Sequence, residues 1–280
     1  VYATQYVRPA TLDDAVALLK THPEARPLSG GMTLIPTLKQ RLAAPSHLVD
    51  IWRLDELQGI SASEAVLKIG AGARHAEVAH SPVVAQTVPA LSHLAGQIAD
   101  PQVRNRGTLG GSLANNDPAA DYPAAVLALG ATVHTSERSI AADDYFVGMF
   151  ETALRPGELI VAVEFPIAHS AGYLKYRHPA SGYAMAGVFI ACSGSDVRVA
   201  ITGAGPGVFR WKEAEARLRD DFSVGALRNL HLDCAGMQGD PHASPRYRAN
   251  LAEVLTRRLV AQMTPGAEGG APTTRGGGPA

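Results

Sequence analysis

Two hydrophobic periods alternate along the chain. In "PATLDDAVALLK" Thr11 precedes an apolar stripe of Ala15, Val16, Leu18 and Leu19, with Asp14 three residues after the threonine. This predicts a capped amphipathic helix. "RPLSG" follows as a short buried strand, then Gly30-Gly31, then a helix through Leu38, Arg41 and Leu42. Pro36 fits the early part of that helix, where its missing N–H costs little. "SHLVDI" predicts a further strand, so the N-terminal stretch reads as βαβ-like alternation.

Two short strand-like runs lie around Ser61–Ser63 in "LQGISASEAVLKIGAGA". "SPVVAQTVPALSHLAGQIAD" predicts mainly helix from a Ser81-Pro82 start. Pro101 to Pro118 is polar and glycine-rich and predicts one long loop. "YPAAVLALG" predicts a short helix stopped by Gly130, "ATVHT" a strand, and "GELIVAVEFP" an alternating strand closed by Pro166. From Gly172, "GYLKYRHP", "YAMAGVFIAC" and "DVRVAITGAG" predict three strands, with a turn at Gly194 between the last two. "WKEAEARLRD" and "SPRYRANLAEVLTRRLVAQM" predict amphipathic helices. The tail "TPGAEGGAPTTRGGGPA" lacks large apolar residues and is expected to be disordered.

Composition narrows the functional classes. With 46% hydrophobic and 18% charged residues the chain is ordinary globular material. A net charge of −1 and no basic run interleaved with aromatics argue against nucleic acid as a partner. No apolar stretch approaches the roughly 20 residues of a membrane span. The N-terminus has no charged segment ahead of an apolar core, so a cytoplasmic location is expected. The two cysteines, Cys192 and Cys234, are too few to hold an ordinary iron–sulfur cluster and lack zinc spacing. No metal site and no catalytic acid, base or nucleophile is expected in this chain.

The candidate chemistry lies in two glycine pairs. "SGGMT" (Ser29, Gly30, Gly31, Met32, Thr33) links a strand to a helix, and "GTLGGS" (Thr108, Leu109, Gly110, Gly111, Ser112) sits in the polar segment. Glycine lets backbone N–H groups approach phosphate oxygens, and hydroxyls add donors. A strand–glycine–helix corner is equally an ordinary turn. Asp117 and Asp121 could accept from ribose hydroxyls or cap the following helix. Competing nucleotide signatures fail: "GAGARH" places His75 where a third glycine belongs, "GAGPG" lacks the spacing, and no P-loop occurs. Two glycine cradles without an acid–base constellation suit a protein whose chemistry is supplied by a cofactor.

"PLSGGMTLIP", "RNRGTLGGSLANNDPAADYPAAVLALGA", "RPGELIVAVEFP" and "SPRYRANLAEVLTRRL" together resemble the FAD-binding medium subunit of molybdenum hydroxylases, the xanthine dehydrogenase and aerobic carbon monoxide dehydrogenase type. The resemblance covers roughly residues 1 to 262. It implies an α+β fold of PCMH-like kind: an α/β FAD-binding unit (1–55), a larger α+β unit (56–170), and a C-terminal antiparallel sheet with helices (171–263), ahead of the tail (264–280). It implies FAD here, with the molybdenum cofactor in a large subunit and [2Fe–2S] clusters in a small one, in a dimer of heterotrimers. FAD would then pass electrons from those clusters to an external acceptor. Matched to the family's flavin contacts are the two glycine motifs, Asp121, Ile160, Lys175 and Tyr183. Lys175 reads otherwise as a solvated strand-face charge, and Tyr183 as a half-buried sheet residue. The chain departs from the family at Gly31-Met32, where His, Gln or Asn is frequent, and in the irregular "HLDCAGMQGDPHASP". The rival readings are a stand-alone flavin-dependent oxidoreductase of related fold and a scaffold that binds nothing.

Overall fold

The computed structural model describes residues 1–264. The predicted disorder of the tail falls almost wholly outside them. The N-terminal unit is a three-stranded parallel sheet, β1 (Gln5–Val7), β2 (Arg26–Leu28) and β3 (His47–Asp50), in the order β1-β3-β2. Helices α1 (Leu12–Thr21) and α2 (Leu34–Lys39) make the crossovers. Thr11 caps α1 by accepting from the Asp14 N–H, as its position predicts. Strand β1 carries no hydrophobic alternation, since Tyr6 is exposed, and pattern reading misses it.

The middle unit is a five-stranded antiparallel sheet in the order β4-β5-β10-β6-β7, formed by β4 (Ile60–Ala62), β5 (Val66–Gly70), β6 (Thr132–Thr135), β7 (Ser139–Ala141) and β10 (Ile160–Pro166). A small hairpin, β8 (Phe146–Gly148) with β9 (Glu151–Thr152), lies beside it. Between β5 and β6 run six short helices: α3 (His75–His80), α4 (Pro82–Thr87), α5 (Pro89–Gly96), α6 (Pro101–Arg104), α7 (Leu109–Asn115) and α8 (Tyr122–Ala128). The short α9 (Ala142–Tyr145) follows β7. Ser81 does cap α4, but Val88-Pro89 divides the predicted helix, because Pro89 opens a new first turn.

The expected long loop from 101 to 118 needs correction. It folds as α6 and α7, capped by Asp100, which accepts from Val103 N–H, and by Thr108, which accepts from Gly111 N–H. Glycine content hid these helices, because two glycines cost helix propensity that tertiary packing restores.

The C-terminal unit is a four-stranded antiparallel sheet, β11 (Ser170–Arg177), β12 (Ala184–Ser193), β13 (Asp196–Thr202) and β14 (Phe209–Arg210), in sequence order. Helices α10 (Lys212–Asp220) and α11 (Pro245–Met263) cover one face. Both faces of this sheet are buried. Ala186, Val188, Ile190, Val199 and Ile201 pack under α10 and α11, whereas Tyr173, Phe189, Ala191 and Ala200 join the core of the middle unit. That is why "AMAGVFIAC" reads as a continuous apolar run. A wholly buried Phe189 contributes roughly 2–3 kcal/mol across this seam.

Candidate functional site

The first glycine segment leaves β2 and turns through Gly31, whose φ of +73° lies in the region that favours glycine. Among the described residues, the backbone N–H groups of residues 30 to 34 donate to no protein acceptor. Met32 and Thr33 are exposed. These consecutive unpaired amides are donors that an anion such as a phosphate could use.

The second segment meets the first directly. A Cβ on Gly30 would lie 2.1 Å from the Arg106 carbonyl oxygen and 2.8 Å from Gly107 Cα. Ser29 Oγ and Thr108 Oγ1 share a hydrogen bond of 3.0 Å. The Arg106 guanidinium lies 4.7 Å from the Trp52 ring centroid, just past β3. Two segments some eighty positions apart therefore close on one another.

Their glycines do different work. Leu109 N–H donates to the Ala73 carbonyl and Gly110 N–H to that of Ala71. A Cβ on Gly110 would lie 2.6 Å from Ala71 Cβ. Leu109 is wholly buried. This pair of amides is spent on holding α7 to the chain after β5, so Gly110 is a packing glycine and not a donor. Gly111 is exposed and Ser112 half-buried, and these two leave the outer side of the first turn open. Ile160 is buried at the start of β10, next to Val161, whose carbonyl accepts from Ala71 N–H.

Beyond α7 the chain reaches Asp121, which is 4% exposed. The capping role fails, because its side chain makes no cap hydrogen bond to α8. Tyr173 donates its hydroxyl to Asp121 Oδ1 at 2.5 Å, and Lys175 Nζ stands 2.8 Å from the same oxygen. The Lys175 side chain has no exposed surface, which removes the solvated-charge reading. Its Nζ lies off hydrogen-bond geometry, and has no hydrogen-bond partner among the described residues. Burial pushes the Asp121 carboxyl up against the pull of Lys175, and pushes the Lys175 ammonium down against the pull of Asp121.

The C-terminal sheet fixes the loop that carries Asp121. Lys175, Gly187 and Thr202 stand opposite one another on three adjacent strands. Thr202 Oγ1 donates to the Pro118 and Ala120 carbonyls at 3.0 and 2.7 Å, and Gly203 N–H donates to Pro118 at 2.8 Å. A Cβ on Gly187 would lie 2.7 Å from the Tyr173 hydroxyl, so glycine clears the space that hydroxyl uses. Tyr183 is 45% exposed in the turn before β12, with Asp117 and Asp121 close enough to raise its hydroxyl pKa after burial has done most of that work.

His75, Tyr173, Thr202 and the Arg106–Trp52 contact escaped the sequence reading. Tyr173 had a signal, since it sits two residues before Lys175 on one strand and so shares its face. His75 lies under the second segment. A Cβ on Gly107 would come within 2.6 Å of its Nε2, and its ring centroid is 5.3 Å from that of Tyr122. Burial, helped by Arg104, pushes His75 down to about 4 and holds it neutral. His75 Nδ1 and the Tyr122 hydroxyl are buried without hydrogen-bond partners among the described residues.

Among the described residues no three His, Cys, Asp or Glu side chains converge to hold a metal ion, and no helix is long and apolar enough to cross a membrane. Unpaired amides beside the Ser29 and Thr108 hydroxyls fit a diphosphate-containing cofactor.

Known proteins give the same picture. Residues 2–168 match the family described as "FAD binding domain in molybdopterin dehydrogenase". The nicotine 6-hydroxylase medium subunit of Paenarthrobacter nicotinovorans is 34% identical, over 93% of this chain and 97% of that protein. The carbon monoxide dehydrogenase medium chain of Afipia carboxidovorans is 35% identical, over 91% and 94%. The crystal structure of quinoline 2-oxidoreductase from Pseudomonas putida 86 superposes with a TM-score of 0.84 at 33% identity, over 95% of this chain and 98% of that one. The chain therefore belongs to the FAD-binding medium subunits of molybdenum hydroxylases, the family its two glycine segments resemble.

Proposed function

We propose that this chain holds one FAD across the contact between its two glycine segments and relays electrons from the [2Fe–2S] clusters of a small partner subunit to an external acceptor. A large partner subunit with the molybdenum cofactor would oxidise the substrate, in a cytoplasmic dimer of heterotrimers. The observation that carries the reading is the contact of Gly30 with the Arg106–Gly107 backbone, beside the Ser29–Thr108 hydrogen bond, which joins the first glycine segment to the start of the second.

FAD, once bound, supplies an isoalloxazine ring able to take electrons singly or in pairs. The residues of this chain bind and orient it. The amides from Gly30 onward, with Ser29 and Thr33, hold the diphosphate; Ser112 and Gly111 face it from α7. Leu109, Gly110 and Ile160 support that wall from within. Lys175, paired with Asp121, is the ammonium on the buried side, and a cation held there favours an electron-rich ring. Tyr183 is the exposed aromatic able to cover the ring. We assign these roles to three units, 1–55, 56–170 and 171–263, the last closing the site through Tyr173, Lys175 and Thr202.

Expression with its partner genes, followed by metal, sulfide and flavin analysis, tests the reading. Flavin on this chain, with molybdenum and iron on co-purifying subunits, is the expected result. Turnover of an organic substrate by the isolated chain would instead establish a stand-alone flavin oxidoreductase, and a colourless chain would establish a scaffold.

A further inference from the structure

Both contacts to the Asp121 carboxylate converge on one oxygen. Tyr173 and Lys175 engage Oδ1, and Oδ2 has no hydrogen-bond partner among the described residues. The group therefore has one occupied oxygen and one free one. It also sits one residue from Tyr122, whose ring neighbours His75, the residue beneath Gly107. A continuous path of packed groups thus runs from the second glycine segment to this carboxylate.

We infer that Asp121 takes up one proton on Oδ2 when the bound flavin gains two electrons, releasing Lys175 to neutralise the reduced flavin. The inference rests on the FAD reading above. With oxidised flavin, Asp121 and Lys175 hold one proton between them and are neutral as a pair, as a buried pair must be to avoid a large desolvation cost. Two electrons and one proton turn the neutral flavin into its reduced anion. A second proton, from solvent, then bonds to Asp121 Oδ2. The carboxylate becomes a neutral carboxyl, and the Lys175 ammonium exchanges its partner for the flavin anion. Charge on the flavin side is thereby balanced, and the overall change is two electrons with two protons.

The surroundings favour this exchange. Tyr173 keeps its hydroxyl on Oδ1 before and after, so only Oδ2 changes. Burial already pushes the carboxyl toward its neutral form. The other charged or titratable groups facing the pair are Arg104, Arg177 and the hydroxyls of Tyr122 and Tyr183, with Asp117 beside Tyr183 and His75 beside Arg104 and Tyr122. Arg104 donates to the Ile98 and Ala99 carbonyls and Arg177 to that of Gln97, so both guanidiniums are held by backbone. His75 stays neutral down to about 4 and adds no charge near neutral pH.

The pH dependence of the flavin midpoint potential tests this in the full chain loaded with FAD and titrated with dithionite. Each proton bound by a two-electron couple contributes about 30 mV per pH unit. The wild type is expected to give about twice that slope across neutral pH, and Asp121→Asn about 30 mV per pH unit. Tyr173→Phe removes a donor to the charged form, so the pH above which the slope falls to the single-proton value moves upward, with FAD retained. Proton uptake by the wild type, read with an indicator dye in weakly buffered solution, needs no variant: two protons per flavin are expected. One proton per flavin, or an Asp121→Asn protein with the wild-type slope, overturns the inference and leaves the FAD reading intact. A chain that binds no FAD overturns the FAD reading and this inference with it.

Discussion

Gly30-Gly31 and Gly110-Gly111 are the same dipeptide, the first on the way from β2 to α2 and the second inside the first turn of α7, and they solve opposite problems. The first leaves its amides open: residues 30 to 34 donate to no protein acceptor among the described residues. The second spends its neighbourhood's amides inward, on the carbonyls of Ala73 and Ala71, and uses Gly110 to bring α7 against the chain beyond β5. In the proposed site one pair would offer hydrogen bonds to the ligand, and the other would build the wall behind it. The junction between them is Gly30, where any side chain would enter the Arg106 carbonyl.

This contrast can be broken by substitution. Gly30→Ala places a Cβ 2.1 Å from backbone that cannot step aside. It should separate the segments and weaken FAD binding by roughly 100-fold, or about 3 kcal/mol, as read by calorimetry. The acid sensitivity of the wall is next. The unfolded chain protonates the His75 imidazole at its ordinary 6.5, whereas the folded chain resists until about 4. Stability present above 6.5 is therefore lost as pH falls between these values, by up to about 3 kcal/mol. Urea melts near neutral pH and near pH 4 measure the loss, and His75→Phe should flatten it.

Gly110→Ala should cost about 1–3 kcal/mol of folding stability through overpacking on Ala71. Its FAD affinity per folded molecule should change far less than that of Gly30→Ala. Thr108→Ala removes the α7 cap and the bond to Ser29, and should lower stability by about 1 kcal/mol. Thermal melts with and without FAD separate these effects, since a bound ligand adds stability only where the cradle survives.

Much of this arrangement was legible in the sequence wherever a side chain announces its environment. The Thr11 cap, the Ser81-Pro82 start and the continuous apolar run of β12 each have a local physical cause that pattern reading detects. The helices at 101–104 and 109–115 were not legible, because the first is a single turn and the second is held by contacts with Ala71 and Ala73 that composition does not encode. The two roles of glycine were equally hidden: a residue without a side chain gives no hint of whether its N–H is spent or free. Asp121 was found as a candidate, but its partner Tyr173 belongs to a strand some fifty positions away and became visible only through the fold.

The most direct test compares FAD, ADP and riboflavin as ligands of the purified, flavin-free chain by calorimetry. If open amides at residues 30 to 34 hold the diphosphate, ADP binds and competes with FAD, riboflavin binds far more weakly than FAD, and Gly30→Ala loses FAD and ADP together. Riboflavin binding as tightly as FAD, with no competition from ADP, would contradict the account.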